Sequence, residues 1–162
     1  MKKILTICIL SAMLLALGGC NKPNQEEKLT SGQTLLAVFE KEVNANPDIT
    51  AEELANILIG NKIIKFQPLV YPITEGFLTG FSADSIEGFK EGVSFGPMIS
   101  TIPFLGYIFT LEEGADVDSF IKTLKSQANL NWNICTSAEE ITIGNVGQFV
   151  FFLMSNKNIN AE

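Results

Sequence analysis

Ser119-Phe120-Ile121-Lys122 sets a hydroxyl and an amine one helical turn apart, where a lysine can draw the proton from a serine nucleophile. Just before it, Glu112-Glu113-Gly114-Ala115-Asp116-Val117-Asp118 gathers four carboxylates, the hard oxygen donors that calcium and similar cations take. Glu52-Glu53 and Glu139-Glu140 are likewise carboxylate pairs, and acid-base work would need two such groups to flank one substrate. Cys20 and Cys135 add thiols able to carry a covalent group. Against these stands an absence, since the chain contains no histidine and no arginine. Ser-His-Asp and Cys-His catalysis, the usual zinc sites and an imidazole proton shuttle are thereby excluded. The planar fork best suited to carboxylate and phosphate ligands is missing too.

The spacing at Ser119 and Lys122 resembles the Ser-x-x-Lys element of penicillin-binding proteins and serine β-lactamases. It covers two residues, and the companion Ser-Asp-Asn and Lys-Thr-Gly elements are absent, so an exposed serine and lysine on an amphipathic helix account for it. The acidic run lacks the spacing of a calcium loop and suits a helix N-terminus, which attracts acids through its dipole. The two glutamate pairs read as solvated faces. No catalytic residue, metal ligand or cofactor site is therefore expected. Cys135, in Trp132-Asn133-Ile134-Cys135, reads as a small buried apolar thiol.

The chain opens with Met1-Lys2-Lys3, continues with the apolar run Ile4 to Leu17, and then reads Leu17-Gly18-Gly19-Cys20. This resembles a bacterial lipoprotein signal peptide: a basic end, an apolar core too short to span stably, and small residues before a cysteine. The resemblance implies that Leu17, Gly18 and Gly19 are read by the signal peptidase, that residues 1–19 are removed, and that Cys20 receives palmitate-type acyl chains. The mature protein would then be extracytoplasmic and held to the bacterial cell membrane through Cys20. It implies nothing about the domain that follows. Cys8 would leave with the signal peptide and Cys20 would be acylated, so Cys135 would have no partner for a disulfide.

Removal of residues 1–19 leaves 162 − 19 = 143 residues, the length of one domain with a sizeable core. It also leaves nine lysines against eighteen acidic residues, a formal charge of 9 − 18 = −9. Nucleic acid is excluded as a partner because this surface repels a polyanion. Adhesion to anionic headgroups is disfavoured on the same ground, leaving the lipid on Cys20 as the attachment.

Residues 20–30 are polar and read as a lipidated cysteine and flexible tether, with a root-mean-square span of about 17 Å. Beyond it, Leu35, Val38, Phe39 and Val43 recur at helical spacing, which predicts a helix over 31–44 capped by Thr30 or Ser31. Thr50-Ala51-Glu52-Glu53 is a capping-box pattern opening a second helix, stopped at Gly60-Asn61. From Lys62 to Leu111 β-branched and aromatic residues predict strands at Lys62–Phe66, Gly76–Phe81, Val93–Phe95 and Phe104–Leu111. Gly92 to Leu111 carries no charge over twenty residues, but Pro97 and Pro103 favour strand-turn-strand over a membrane span. The glycines spaced by four, Gly76 to Gly80 and Gly88 to Gly96, read as turns and points of close backbone approach.

Val117, Phe120, Ile121, Leu124 and Ala128 mark a third helix, with Asp116 as its cap and Asp118 placed to pair with Lys122. Glu140–Ile143 and Gln148–Met154 flank Gly144-Asn145-Val146-Gly147 as a hairpin. Phe104–Leu111 and Phe149–Met154 are apolar on both faces and belong in the middle of a sheet. The expected class is α+β: a single domain over 31–155, a largely antiparallel sheet with helices packed on one face, ending in a β-α-β-β unit. Residues 156–162 read as a frayed tail.

The composition and anchor favour a non-catalytic binding or accessory module at the cell envelope, serving an envelope protein or a small ligand. Its aromatic, glycine-rich middle could furnish an apolar patch or pocket. The competing expectation is a small histidine-free hydrolase using carboxylates or Ser119 and Lys122. It would need Ser119 beside Lys122 in a cleft, or two converging carboxylates.

Overall fold

The computed structural model of the chain describes residues 28–160 except 83 and 100. The signal peptide, Cys20 and most of the tether lie outside the described residues.

Three helices, α1 (Ser31–Ala45), α2 (Ala51–Ile59) and α3 (Val117–Gln127), accompany five strands: β1 (Pro68–Ile73), β2 (Glu91–Pro97), β3 (Phe104–Thr110), β4 (Glu140–Val146) and β5 (Phe149–Ser155). The strands form one sheet in the order β1-β2-β3-β5-β4, every neighbouring pair antiparallel. The α+β class, the antiparallel sheet and the closing β-α-β-β unit hold. β3 and β5 occupy the middle, as their two-faced apolar runs require.

Each helix starts where its capping chemistry dictates. Thr30 caps α1 in a capping box with Gln33. Thr50 does the same for α2, its N–H and hydroxyl both donating to the Glu53 carboxylate at 2.9 Å. Those bonds favour the ionised acid and hold Glu53 below the ordinary carboxylate range. Asp116 caps α3 by accepting the Ser119 N–H at 2.9 Å. The expected Asp118–Lys122 pair does not form among the described residues, where the ion pair seen is Lys41–Glu42.

The sheet separates two apolar layers. Leu35, Phe39 and Val43 of α1 and Leu54, Ala55 and Leu58 of α2 pack on Phe95, Ile108, Phe151 and Leu153. On the opposite face Phe120 and Leu124 of α3 pack against Tyr107, Phe109, Val150 and Phe152. Helices therefore cover both faces rather than one. The two-faced apolarity of β3 and β5 demands it, because either face left bare would expose phenylalanines. α3 is too short to cover its side alone, and loops 74–90 and 128–138 complete the layer.

Several strand boundaries differ from expectation for stereochemical reasons. Lys62–Phe66 forms turns, and the first strand is Pro68–Ile73. The Met98 N–H donates to the Gln67 carbonyl at 2.9 Å, which sets the phase of the ladder. Leu69, Tyr71 and Ile73 bond β2, while Pro68, Val70 and Pro72 turn their backbones to the open edge. Gly76–Phe81 is a loop with single bridges at Gly76 and Phe81, because Gly76 and Gly80 have φ of 141° and 85°. Gly80 also lies so close to Met154 and Leu105 that a Cβ would overlap both, one of the close approaches read from the glycine spacing.

The hairpin turns later than expected, at Gly147-Gln148, with Gly147 at φ 55° and no non-glycine residue at positive φ. That is the II′ geometry matched to strand twist. Residues 92–111 hold β2, a turn and β3, and no helix among the described residues is long and apolar enough to cross a membrane.

The segment after β5 is docked through residue 160 instead of frayed. The Lys157 carbonyl accepts from the Ser31 N–H at 2.7 Å, the Ile159 N–H donates to the Ser31 hydroxyl at 3.1 Å, and the Asn160 amide donates to the Ile63 carbonyl at 3.0 Å. These bonds involve the main chain at every step, which the polar composition of the tail does not reveal.

Candidate functional site

On the face shared with α3, β2 presents only small residues: Gly92, Ser94 and Gly96. Ile73 and Phe89 fill the space above Gly92, and Tyr107 flanks Ser94 from β3. The space above Gly96 is the least filled of the three, since a Cβ there would meet one atom, the Phe104 carbonyl oxygen, in a tight contact at 3.2 Å. The missing side chain makes the floor of a cleft of about 260 Å³. Leu69 and Tyr71 of the edge strand form one wall, Trp132 and Asn133 another, Thr79 stands at the side, and Met98 and Ile102 close the end. No residue lining this cleft is charged.

The wall carrying Trp132 is fixed by local hydrogen bonds. Asn129 N–H donates to the Gly80 carbonyl at 2.8 Å, Trp132 N–H to the Asn129 carbonyl at 3.1 Å, and Ala138 N–H to the Leu130 carbonyl at 2.9 Å. The Ser137 hydroxyl braces Asn131 at 2.7 Å. Cys135 N–H donates to the Asn133 side-chain oxygen at 3.3 Å, and this tight turn throws Ile134 and Cys135 outward. Cys135 is therefore exposed, contrary to the buried thiol expected from its apolar neighbours.

Tyr107 lies beneath the cleft wall, its hydroxyl donating to the Thr79 carbonyl at 2.8 Å. Burial pushes the Tyr107 hydroxyl far above its ordinary value of 10.0, and Tyr71 across the sheet adds to the rise. Ser94 opposes the rise weakly from a position that does not meet hydrogen-bond geometry. The folded state thus holds this proton more tightly than the unfolded chain. Its stabilisation is complete below pH 10 and is lost as pH rises past the unfolded value toward the folded one. Urea titrations across this range are expected to show stability declining above about pH 10. Tyr107→Phe should flatten that decline while losing about 1 kcal/mol at neutral pH with the Thr79 bond.

The residues singled out for chemistry do not converge. Ser119 and Lys122 are exposed on α3, and neither lines a cleft described here. Asp116 is occupied as a cap, Glu112, Glu113 and Asp118 are exposed, and Glu53 serves its own capping box. Among the described residues no three His, Cys, Asp or Glu side chains are placed to hold a metal ion. Glu139 and Glu140 diverge: Glu139 accepts the Lys157 N–H at 2.8 Å, while Glu140 turns into a polar cleft of about 640 Å³ at the start of α1, lined also by Lys28, Ser31 and Lys157.

Three of the exposed large apolar residues, Leu69, Tyr71 and Met98, line the Gly96 cleft. Compared with protein-family models, curated proteins and solved structures, the chain matches none.

Proposed function

We propose that this protein is a lipid-anchored, extracytoplasmic binding module of the bacterial cell envelope, non-catalytic, which takes an apolar or aromatic group of an envelope partner or small ligand into the Gly96 cleft. The observation that carries the reading is the cleft itself: an uncharged concavity with two aromatic walls, in which Leu69, Tyr71 and Met98 are large apolar residues left exposed. Such clustering marks interaction surfaces in soluble domains. The anchor half of the proposal rests on Leu17-Gly18-Gly19-Cys20. The scattered positions of Ser119, Lys122 and the carboxylates lend no support to a hydrolase.

Trp132 is the sole tryptophan and reports on its own wall. An anilinonaphthalene dye is expected to bind the mature protein and accept energy from Trp132. Gly96→Leu, which fills the floor, should weaken dye binding at least tenfold with the unfolding midpoint nearly unchanged. Equal dye binding by both proteins would remove the cleft from the proposal. Crosslinking in the native cells, with Cys20→Ala as the unacylated control, would identify the partner, and no crosslinked species under either condition would turn the reading toward a small ligand.

A further inference from the structure

The register divides the sheet into two ends. Pro68, Pro97, Phe104, Ser155 and Glu140 line up at one, and Ile73, Gly92, Phe109 and Val150 lie toward the other. The chain enters the domain at the first end, where the Ser31 N–H is bonded to the Lys157 carbonyl. Cys20 is eight residues before Lys28, so an anchor there keeps this end within about 28 Å of the bilayer.

The same end carries the turn from β2 to β3, where Met98 is 48% and Ile99 71% exposed. Four lysines lie at this end of the domain. Lys28 and Lys157 line the polar cleft beside Ser31, while Lys62 and Lys65 are exposed next to Ile63 and Phe66, and the Phe66 ring packs on Phe104 at 5.1 Å. The acids gather at the far end. Glu52 and Glu91 share a cleft there with Lys90 and Ile73, and the run from Glu112 to Asp118 follows β3 as it leaves the sheet. Among the described residues the anchored end thus sets four lysines against Glu139 and Glu140, which makes it less acidic than the far end.

We propose that this end of the sheet is a second membrane contact: Ile99 and Met98 enter the interface of an anionic bilayer while Lys28, Lys62, Lys65 and Lys157 lie over its headgroups. An apolar tip with a lysine rim is the composition that adsorbs to such surfaces, with long lysine stems reaching around the buried part. It departs from the expectation drawn from net charge alone, because lipid electrostatics decay within a Debye length and sense the near end of the domain. The tether supplies proximity and the tip supplies orientation. The orientation therefore rests on the proposed anchor, whereas the lipid affinity of the tip does not.

The test uses the mature protein purified from its own membranes, with Cys135→Ser, and a nitrobenzoxadiazole label on Ile99→Cys or, at the far end, on Glu113→Cys. It is reconstituted with brominated lipids in vesicles of phosphatidylcholine plus phosphatidylglycerol, or of phosphatidylcholine alone, while the mass of the N-terminal peptide reports acylation separately. The label at position 99 is expected to shift to the blue and to be quenched, most strongly with phosphatidylglycerol, and the label at 113 to remain aqueous. Lys62→Gln with Lys65→Gln should lower quenching at 99 to its level on phosphatidylcholine alone.

Acylated protein with both labels aqueous, or both quenched alike, would overturn the contact and leave the anchor standing. A label at 99 that is shielded in native membranes but aqueous in protein-free vesicles would also overturn it, by assigning the tip to a protein partner. If the peptide carries no acyl mass the anchor fails, and quenching at 99 on added anionic vesicles still decides whether the tip binds lipid.

Discussion

Gly106→Val is expected to destabilise the domain by about 3 kcal/mol and to lower its melting temperature by roughly 10 °C. Gly106 lies in β3, in the middle of the sheet, and a Cβ there would overlap the Phe95 ring. That ring is 1% exposed and held between Phe104 and Phe151, with centroids at 6.0 and 6.4 Å. It has nowhere to swing without displacing a second aromatic. In most strand interiors valine would be favoured over glycine, so the sign of the effect isolates packing from backbone preference. Urea unfolding of Gly106→Val, Phe95→Leu and the double variant gives the check. The double variant should recover part of the loss, and additive losses would mean that the two sites do not compete for one volume.

Under the proposed anchor, Cys20→Ala is expected to abolish acylation and to leave residues 1–19 uncleaved, since the thiol would be both the lipid acceptor and the landmark for processing. The effect on attachment is large. Two acyl chains bury about thirty methylenes at about 0.8 kcal/mol each, on the order of 20 kcal/mol, so acylation makes attachment effectively permanent. Intact-mass measurement of the wild-type protein should show a chain beginning at Cys20 with added acyl mass, and Cys20→Ala should show neither. An unmodified wild-type chain retaining Met1 would end the anchor proposal.

The parts of the fold that were legible share one property: their sequence signal and their stabilising interaction are the same residues. The stripe Leu35, Phe39 and Val43 both marks α1 and buries it, and Thr50 with Glu53 both announces α2 and caps it. Phe104–Thr110 and Phe149–Ser155 read as central strands because both of their faces are covered. β1 was hidden by Pro68 and Pro72, which count against a strand unless it is known to lie at an edge. Amphipathic spacing in α3 showed that a stripe is buried, but it carries no information about which face of the sheet receives it.

The Gly96 cleft is a harder case. Its walls come from Leu69, Tyr71, Thr79, Met98, Trp132 and Asn133, distant in sequence and brought together by the fold, and its floor is an absent side chain. The one signal pointing toward it was compositional, in the uncharged aromatic and glycine-rich middle. Exposure of Cys135 was unreadable for a related reason, because the turn made by Asn133 decides it and the apolar neighbours do not.

Under the proposed anchor, the outward phase of β1 matters, because the protein would be crowded onto a two-dimensional surface. Proteins anchored to one bilayer meet their own copies at high local concentration, where an open strand invites the next molecule to extend the sheet. Of the three positions β1 turns outward, Pro68 and Pro72 have no N–H, so an approaching strand finds a single donor at Val70. The residues that made this strand hard to recognise thus blunt this edge of the sheet against pairing with another copy, which leaves β4 as the edge with a full set of donors.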